Sequence, residues 1–96
     1  MTRSEVIRLL TEHREELRAL GVRSLALFGS AARDEAHDAS DVDLLVKFER
    51  APGFDGYMKL KFRLEGILGR RVDLVMEDAL KPWARPTVER EAVHVA

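Results

Sequence analysis

The sequence predicts an α/β (α+β) fold, in which helices pack on a small mixed β-sheet of three to four strands. Apolar residues recur at helical spacing over residues 3–20 and 56–68. Residues 22–28 form a nearly continuous apolar run, as expected of an interior strand. Apolar and polar residues alternate over 41–48 and 71–76, which is typical of strands with one buried face. Helical and strand patterns that follow one another in this way favour helices packed on a sheet.

Local signals set the expected ends of the helices. Thr2 and Glu5 have the spacing of a capping box, and Gly21 is a suitable stop for the first helix. Asp55 can cap the second helix, which Gly69 ends. We therefore expect one uninterrupted helix over residues 3–20 and another over 56–68.

The last part of the chain predicts two short elements. Pro86 fits the first turn of a helix that continues through Arg90. Val93 and Val95 then favour a short terminal strand. This strand is the fourth candidate for the sheet.

The composition limits the classes of function. Ninety-six residues are expected to form a single domain, residues 1–96, with one modest core. A net charge of −1 gives no basic field, so no direct binding of nucleic acid is expected. The absence of cysteine excludes disulfides and thiolate metal sites. No signal peptide and no apolar run of about 20 residues is seen, so we expect no membrane contact and a cytoplasmic location.

Two carboxylates interrupt the second predicted strand. Asp41 and Asp43 are separated by two positions and so point to the same side of a strand, about 7 Å apart. Asp is a poor strand former, so strand propensity does not explain the pair. Oxygen ligands of this kind suit Mg²⁺, whereas the alternative is a charged edge strand that prevents aggregation. We expect metal binding.

A phosphate site is predicted immediately before this strand. Gly29 and Ser30 follow the first strand, and a short polar segment, expected to begin as a one- or two-turn helix, comes next. Backbone N–H groups and a hydroxyl at such a turn can hold phosphate oxygens. Ser30 could instead be only a helix N-cap. The order of the Gly-Ser turn and the Asp pair favours transfer of a phosphoryl or nucleotidyl group.

These residues resemble a known signature. GSAARDE (29–35) and SDVDLLV (40–46) are similar to the motif of the polymerase-β-like nucleotidyltransferase superfamily. RVDLV (71–75) and EAVHV (91–95) extend the resemblance over nearly the whole chain. More narrowly, the chain resembles the minimal nucleotidyltransferases (MNT), which are the antitoxins of HEPN/MNT toxin–antitoxin pairs.

The resemblance implies roles for further residues. Asp73 becomes the third carboxylate, whereas its sequence context alone leaves it equally well explained as a surface residue. Asp41, Asp43 and Asp73 are the implied catalytic and metal-binding residues, holding two Mg²⁺ ions. Arg33 is expected to meet the phosphates with Gly29 and Ser30, and Glu35 to support that arrangement.

The expected activity is transfer of AMP from ATP. The length leaves no room for a separate acceptor domain, so the acceptor is expected to be another molecule. The resemblance makes that molecule a HEPN toxin, modified on a hydroxyl, with tyrosine as the expected acceptor, so that the chain is a type VII-like antitoxin. The alternative is an antitoxin that binds a nucleoside triphosphate without catalysis and neutralises a HEPN ribonuclease by contact alone.

Overall fold

The computed structural model describes residues 2–29 and 41–95, and it contains the predicted mixed sheet. The strands are β1 (Val22–Phe28), β2 (Val42–Phe48), β3 (Val72–Met76) and β4 (Val93–His94). The helices of these ranges are α1 (Arg3–Glu12), α2 (Arg14–Ala19), α3 (Gly53–Leu68) and α4 (Arg85–Glu91), with a 3₁₀ turn at Glu77–Ala79.

The strand order is β3-β2-β1-β4. β1 runs antiparallel to both β2 and β4, whereas β2 and β3 are parallel. A parallel pair needs a long crossover connection, and α3 supplies it. The sheet is therefore mixed, as predicted, and β3 forms one of its edges.

One face of the sheet builds the main core with the helices. Along β2, Val42, Leu44 and Val46 are fully or almost fully buried on this face, which we call the helix-covered face. The main core also includes leucines from α1, α2 and α3, together with strand residues from β1 and β3. Fully burying a side chain of this size contributes roughly 1.5–3 kcal/mol. No helix in residues 2–29 or 41–95 is long and apolar enough to cross a membrane.

The expectation of one helix over residues 3–20 is wrong, because the helix is interrupted at His13. The His13 backbone N–H donates to the Leu10 carbonyl at 3.2 Å, and the ring Nδ1 lies 2.8 Å from the Leu9 carbonyl oxygen. A side chain that bonds a backbone carbonyl competes with the helical ladder for that acceptor. α1 therefore ends at Glu12, and α2 begins at Arg14.

The start of α3 also differs from the sequence expectation. The helix begins at Gly53 with Pro52 as its N-cap residue, so Asp55 lies inside the first turn instead of capping it. An acidic side chain there still complements the positive end of the helix dipole. At the other end Gly69 adopts φ 65° and ends the helix, as predicted.

An ion pair connects α2 with α3 on the surface. The Arg63 guanidinium donates to both carboxylate oxygens of Glu16, one of them at 3.0 Å. This hydrogen bonding holds the pKa of Glu16 below its usual value and raises the pKa of Arg63. Both side chains are about two-fifths exposed, so water screens the attraction between them.

Candidate active site

Asp43 and Asp73 lie side by side on neighbouring strands. The parallel register of β2 and β3 places residue 43 opposite residue 73. Adjacent strands lie about 4.8 Å apart, and in-register residues point to the same face. Asp43 is half-buried and Asp73 is exposed. The pair lies on the face of the sheet opposite the main core, which we call the open face.

Gly29 lies directly against Asp43. The register of β1 and β2 pairs Phe28 with Asp43, so the next residue begins the turn beside that carboxylate. A Cβ atom built on Gly29 would lie 3.1 Å from Asp43 Cγ and still closer to Oδ2. Gly29 also has φ 69°, which residues with a side chain rarely adopt. Only glycine fits this turn without displacing the carboxylate.

Asp41 occupies the position just before β2 begins at Val42, one residue later than the predicted strand start. Its Oδ1 lies 3.6 Å from Arg71 Nε, in a pair whose side chains are 48% and 81% exposed. Next to it, the Val42 N–H donates to the Arg71 carbonyl at 2.9 Å. The Arg71 guanidinium therefore partly offsets the negative charge at this end of the sheet.

Two side chains of α3 hold the edge strand that carries Asp73. The Val72 N–H donates to Glu65 Oε2 at 2.9 Å, and the Tyr57 hydroxyl donates to the Leu74 carbonyl. Both backbone groups point away from β2, and an edge strand otherwise leaves such groups unpaired. Tyr57 was predicted only as a core residue of its helix, and Glu65 was not predicted to have any role. The sequence signal for both is weak, because their targets lie on another element.

Ser30, Arg33 and Glu35, with the short helix predicted around them, lie outside the described residues. Among residues 2–29 and 41–95, no group of three or more His, Cys, Asp or Glu side chains is arranged to hold a metal ion. The donor set is nevertheless of the right chemistry, since three carboxylates supply the hard oxygen ligands that Mg²⁺ prefers. A glycine that leaves room beside Asp43 fits an ion or phosphate at that place.

Trp83 contributes to neither the core nor this site. Its side chain is 80% exposed, so the interpretation of Trp83 as a packing anchor is wrong. Phe54 and Phe62 on α3 are also exposed. These three side chains lie on the surface of the chain.

Residues 10–94 match the family model described as a nucleotidyltransferase domain. A protein adenylyltransferase, MntA, of Thermococcus cleftensis is 47% identical over 96 residues, which are 99% of this chain and 97% of that protein. A solved structure provisionally described as a minimal nucleotidyltransferase superposes with a TM-score of 0.82 at 44% identity. That alignment covers 97% of this chain and 95% of the other.

A more distant structure has the same fold. It is a chain from the complex of a tri-AMPylated Shewanella oneidensis HEPN toxin with MNT antitoxin. The TM-score is 0.67 at 19% identity, over 94% of this chain and 71% of that one. The family model covers most of the chain, and the 47% identity extends over nearly all of it. The chain therefore belongs to the nucleotidyltransferase domain family, as a minimal nucleotidyltransferase.

Proposed function

We propose that this chain is a protein adenylyltransferase, which transfers AMP from ATP to a hydroxyl group of a HEPN toxin and thereby acts as its antitoxin. The observation that carries the proposal is the in-register pair of Asp43 and Asp73 beside Gly29. Support for the adenylyl group comes from the 47% identical MntA, which is named a protein adenylyltransferase. Support for the partner comes from the similar fold of an MNT antitoxin that forms a complex with a HEPN toxin.

In this proposal the phosphates of ATP lie at the turn that follows β1. Gly29 lets the backbone approach them, and Ser30 and Arg33 contribute a hydroxyl and a positive charge. Glu35 supports the same segment. Asp41, Asp43 and Asp73 would hold two Mg²⁺ ions, which when bound neutralise the charge of the triphosphate. The chain's own contribution is to position the reacting groups.

The proposed reaction is attack by the acceptor hydroxyl oxygen on the α-phosphorus. Asp73 takes the hydroxyl proton as the new O–P bond forms, and the bond between the α-phosphorus and the oxygen that bridges to the β-phosphorus breaks. Pyrophosphate leaves with that bonding pair. Asp73 suits this role because it is exposed, whereas Asp43 is half-buried next to Gly29. We propose a tyrosine hydroxyl as the acceptor, a type VII-like antitoxin role, and the cytoplasm as the location.

A label-transfer assay tests this function. The purified chain would be mixed with Mg²⁺, ATP labelled at the α-phosphate and the HEPN protein encoded beside it. Label on the HEPN protein with the wild type, and none with Asp43→Asn, is the expected result. Asp55→Asn is the matched control, because Asp55 is an exposed aspartate on α3, away from the pair. No transfer of label from any nucleoside triphosphate would overturn the proposal.

The second candidate function is an antitoxin that neutralises its partner by binding alone. Two observations favour it. The described residues contain no ready three-ligand metal cluster, and three large apolar side chains, Phe54, Phe62 and Trp83, are exposed. Exposed apolar surface is typical of protein contacts. In that case the Asp43→Asn variant would still silence the toxin, and no label would be transferred.

A further inference from the structure

The open face of the sheet carries a second feature, a cleft that lies beyond the carboxylate pair. Its volume is about 320 Å³, within the range of small-ligand pockets. The floor is formed by Ala26 of β1 and Leu45 of β2, both buried but outside the main core. The remaining lining residues are Ser24, Lys47, Glu77, Glu89, Ala92 and His94.

The cleft and the carboxylates share one surface. Leu45 and Lys47 follow Asp43 at alternate positions of β2, so all three side chains point to the open face. At about 3.3 Å per residue, Leu45 lies about 7 Å from Asp43 along the strand, and Lys47 about 13 Å. A nucleotide with its α-phosphate at Asp43 therefore places its base over this floor when the nucleoside extends along β2.

The chemistry of the lining suits a purine base. Small apolar side chains form a floor on which a flat ring can lie, and polar groups surround it. The carboxylates of Glu77 and Glu89 can accept hydrogen bonds from an exocyclic amine. The Lys47 ammonium can donate to a ring nitrogen, and Ser24 can donate or accept. A phosphate group would be unfavourable here, since two carboxylates face the cleft.

The wall of the cleft is held in place by Arg85 at the start of α4. Its guanidinium donates to the Glu77 carbonyl at 3.2 Å. It also lies 3.6 Å from the Glu77 carboxylate and 3.7 Å from that of Glu89. These contacts connect α4 to the 3₁₀ turn, so both acidic groups are oriented before any ligand binds.

We infer that this cleft is the subsite for the nucleotide base, and that it takes a purine, adenine in the case of ATP. The inference rests on the proposed function, since it assumes that the phosphates lie at Gly29 and Asp43. It adds the part of the chain that contacts the base. It also explains why two residues on the open face, Ala26 and Leu45, are buried apart from the main core.

The test compares two ligands that share phosphates but differ in the base. Binding of ATP and of inorganic tripolyphosphate, each with Mg²⁺, would be measured by calorimetry for the wild type, Ser24→Phe and Ala26→Val. The substitutions fill the cleft from β1. We expect ATP affinity to fall about tenfold or more, while tripolyphosphate affinity stays within about twofold. Ser4→Phe, on the exposed surface of α1, is the control and should leave both affinities unchanged.

The outcomes separate this inference from the proposed function. Equal affinity of the wild type for ATP and tripolyphosphate, or binding of neither, would overturn the base subsite. So would variants that keep ATP affinity but need more acceptor protein for transfer, because the cleft would then hold the acceptor. A base-dependent loss of ATP affinity without any transfer to the HEPN protein would support the subsite and reject the transferase. Thermal unfolding of Ser24→Phe and Ala26→Val identifies a variant that has lost its fold, and the other variant then decides.

Discussion

Gly29 and Asp43 are in such close contact that residue 29 cannot carry a side chain without moving the carboxylate. The distance from a built Cβ atom to Asp43 Cγ is 3.1 Å, and that to Asp43 Cβ is 3.3 Å. The end of β1 therefore determines how the second carboxylate of the Asp-x-Asp pair is presented. This relationship makes glycine a requirement of the candidate site as well as of the turn.

Gly29→Ala should lose transfer activity for a reason separate from stability. Its φ of 69° makes alanine cost about 1–2 kcal/mol of folding free energy. Gly69→Ala is the matched control, because Gly69 has φ 65° and no atom within 4 Å of a built Cβ. We expect similar losses in urea-unfolding stability for both variants, and a fall in transfer rate of about 100-fold for Gly29→Ala alone. Equal rates in the two variants would contradict the role of Gly29 beside Asp43.

Neutralising one aspartate of the in-register pair should stabilise the fold while it removes activity. Like charges directly opposite on neighbouring strands repel, so Asp73→Asn should raise the free energy of unfolding by about 0.2–1 kcal/mol. If Asp73 accepts the hydroxyl proton, the transfer rate should fall by about 10²–10⁴-fold. Urea denaturation and label transfer measure the two effects. Asp55→Asn, outside the pair, should change neither, and a destabilised Asp73→Asn would mean that Asp73 has a structural partner.

The contacts from α3 to the edge strand should affect both stability and the position of Asp73. Tyr57→Phe removes the donor to the Leu74 carbonyl and should cost about 1 kcal/mol of unfolding free energy. Glu65→Ala leaves the Val72 N–H without its acceptor and should cost about 1–3 kcal/mol. Glu65→Gln keeps an acceptor oxygen and should be nearly neutral. Amide hydrogen exchange at residue 72 provides the readout, and equal protection in Glu65→Ala and Glu65→Gln would contradict the assignment.

The Glu16–Arg63 pair should make stability depend on acid pH. Because the pKa of Glu16 is lowered in the folded chain, its contribution is fully present above the usual value of 4.5. The contribution is lost as pH falls through the lowered folded value. We expect Glu16→Gln to be less stable than the wild type at pH 7, and the difference to shrink below about pH 4.5. Urea midpoints measured from pH 7 to pH 3 provide the test.

A second surface pair supplies the control for this pH dependence. Arg8 and Glu12 form an ion pair within α1 at 3.2 Å, with both side chains more than half exposed. Glu12→Gln removes the same kind of charge from one helix without separating two elements. A stability difference for Glu12→Gln as large as that for Glu16→Gln would show that the connection between α2 and α3 has no special effect.

Local sequence patterns determined most of the elements and the chemical character of the candidate site. Alternation along residues 42–48 predicts that Val42 and Leu44 face the core, so Asp43 must point to the other face. Gly69 ends α3 as its residue type predicts. These features depend on residues a few positions apart, and periodicity and backbone preference act at that range.

Tertiary structure alone decided which residues meet. The register that pairs Asp43 with Asp73, the contact of Gly29 with that carboxylate, and the capping of β3 by Glu65 all join positions distant in sequence. The cleft on the open face likewise gathers side chains from several separate elements. No local pattern encodes these contacts, because strand register is selected by the burial of a whole face and not by any one residue. The sequence by itself determined that two carboxylates and a glycine turn exist, and the packing of α3 and the sheet decided that they lie together.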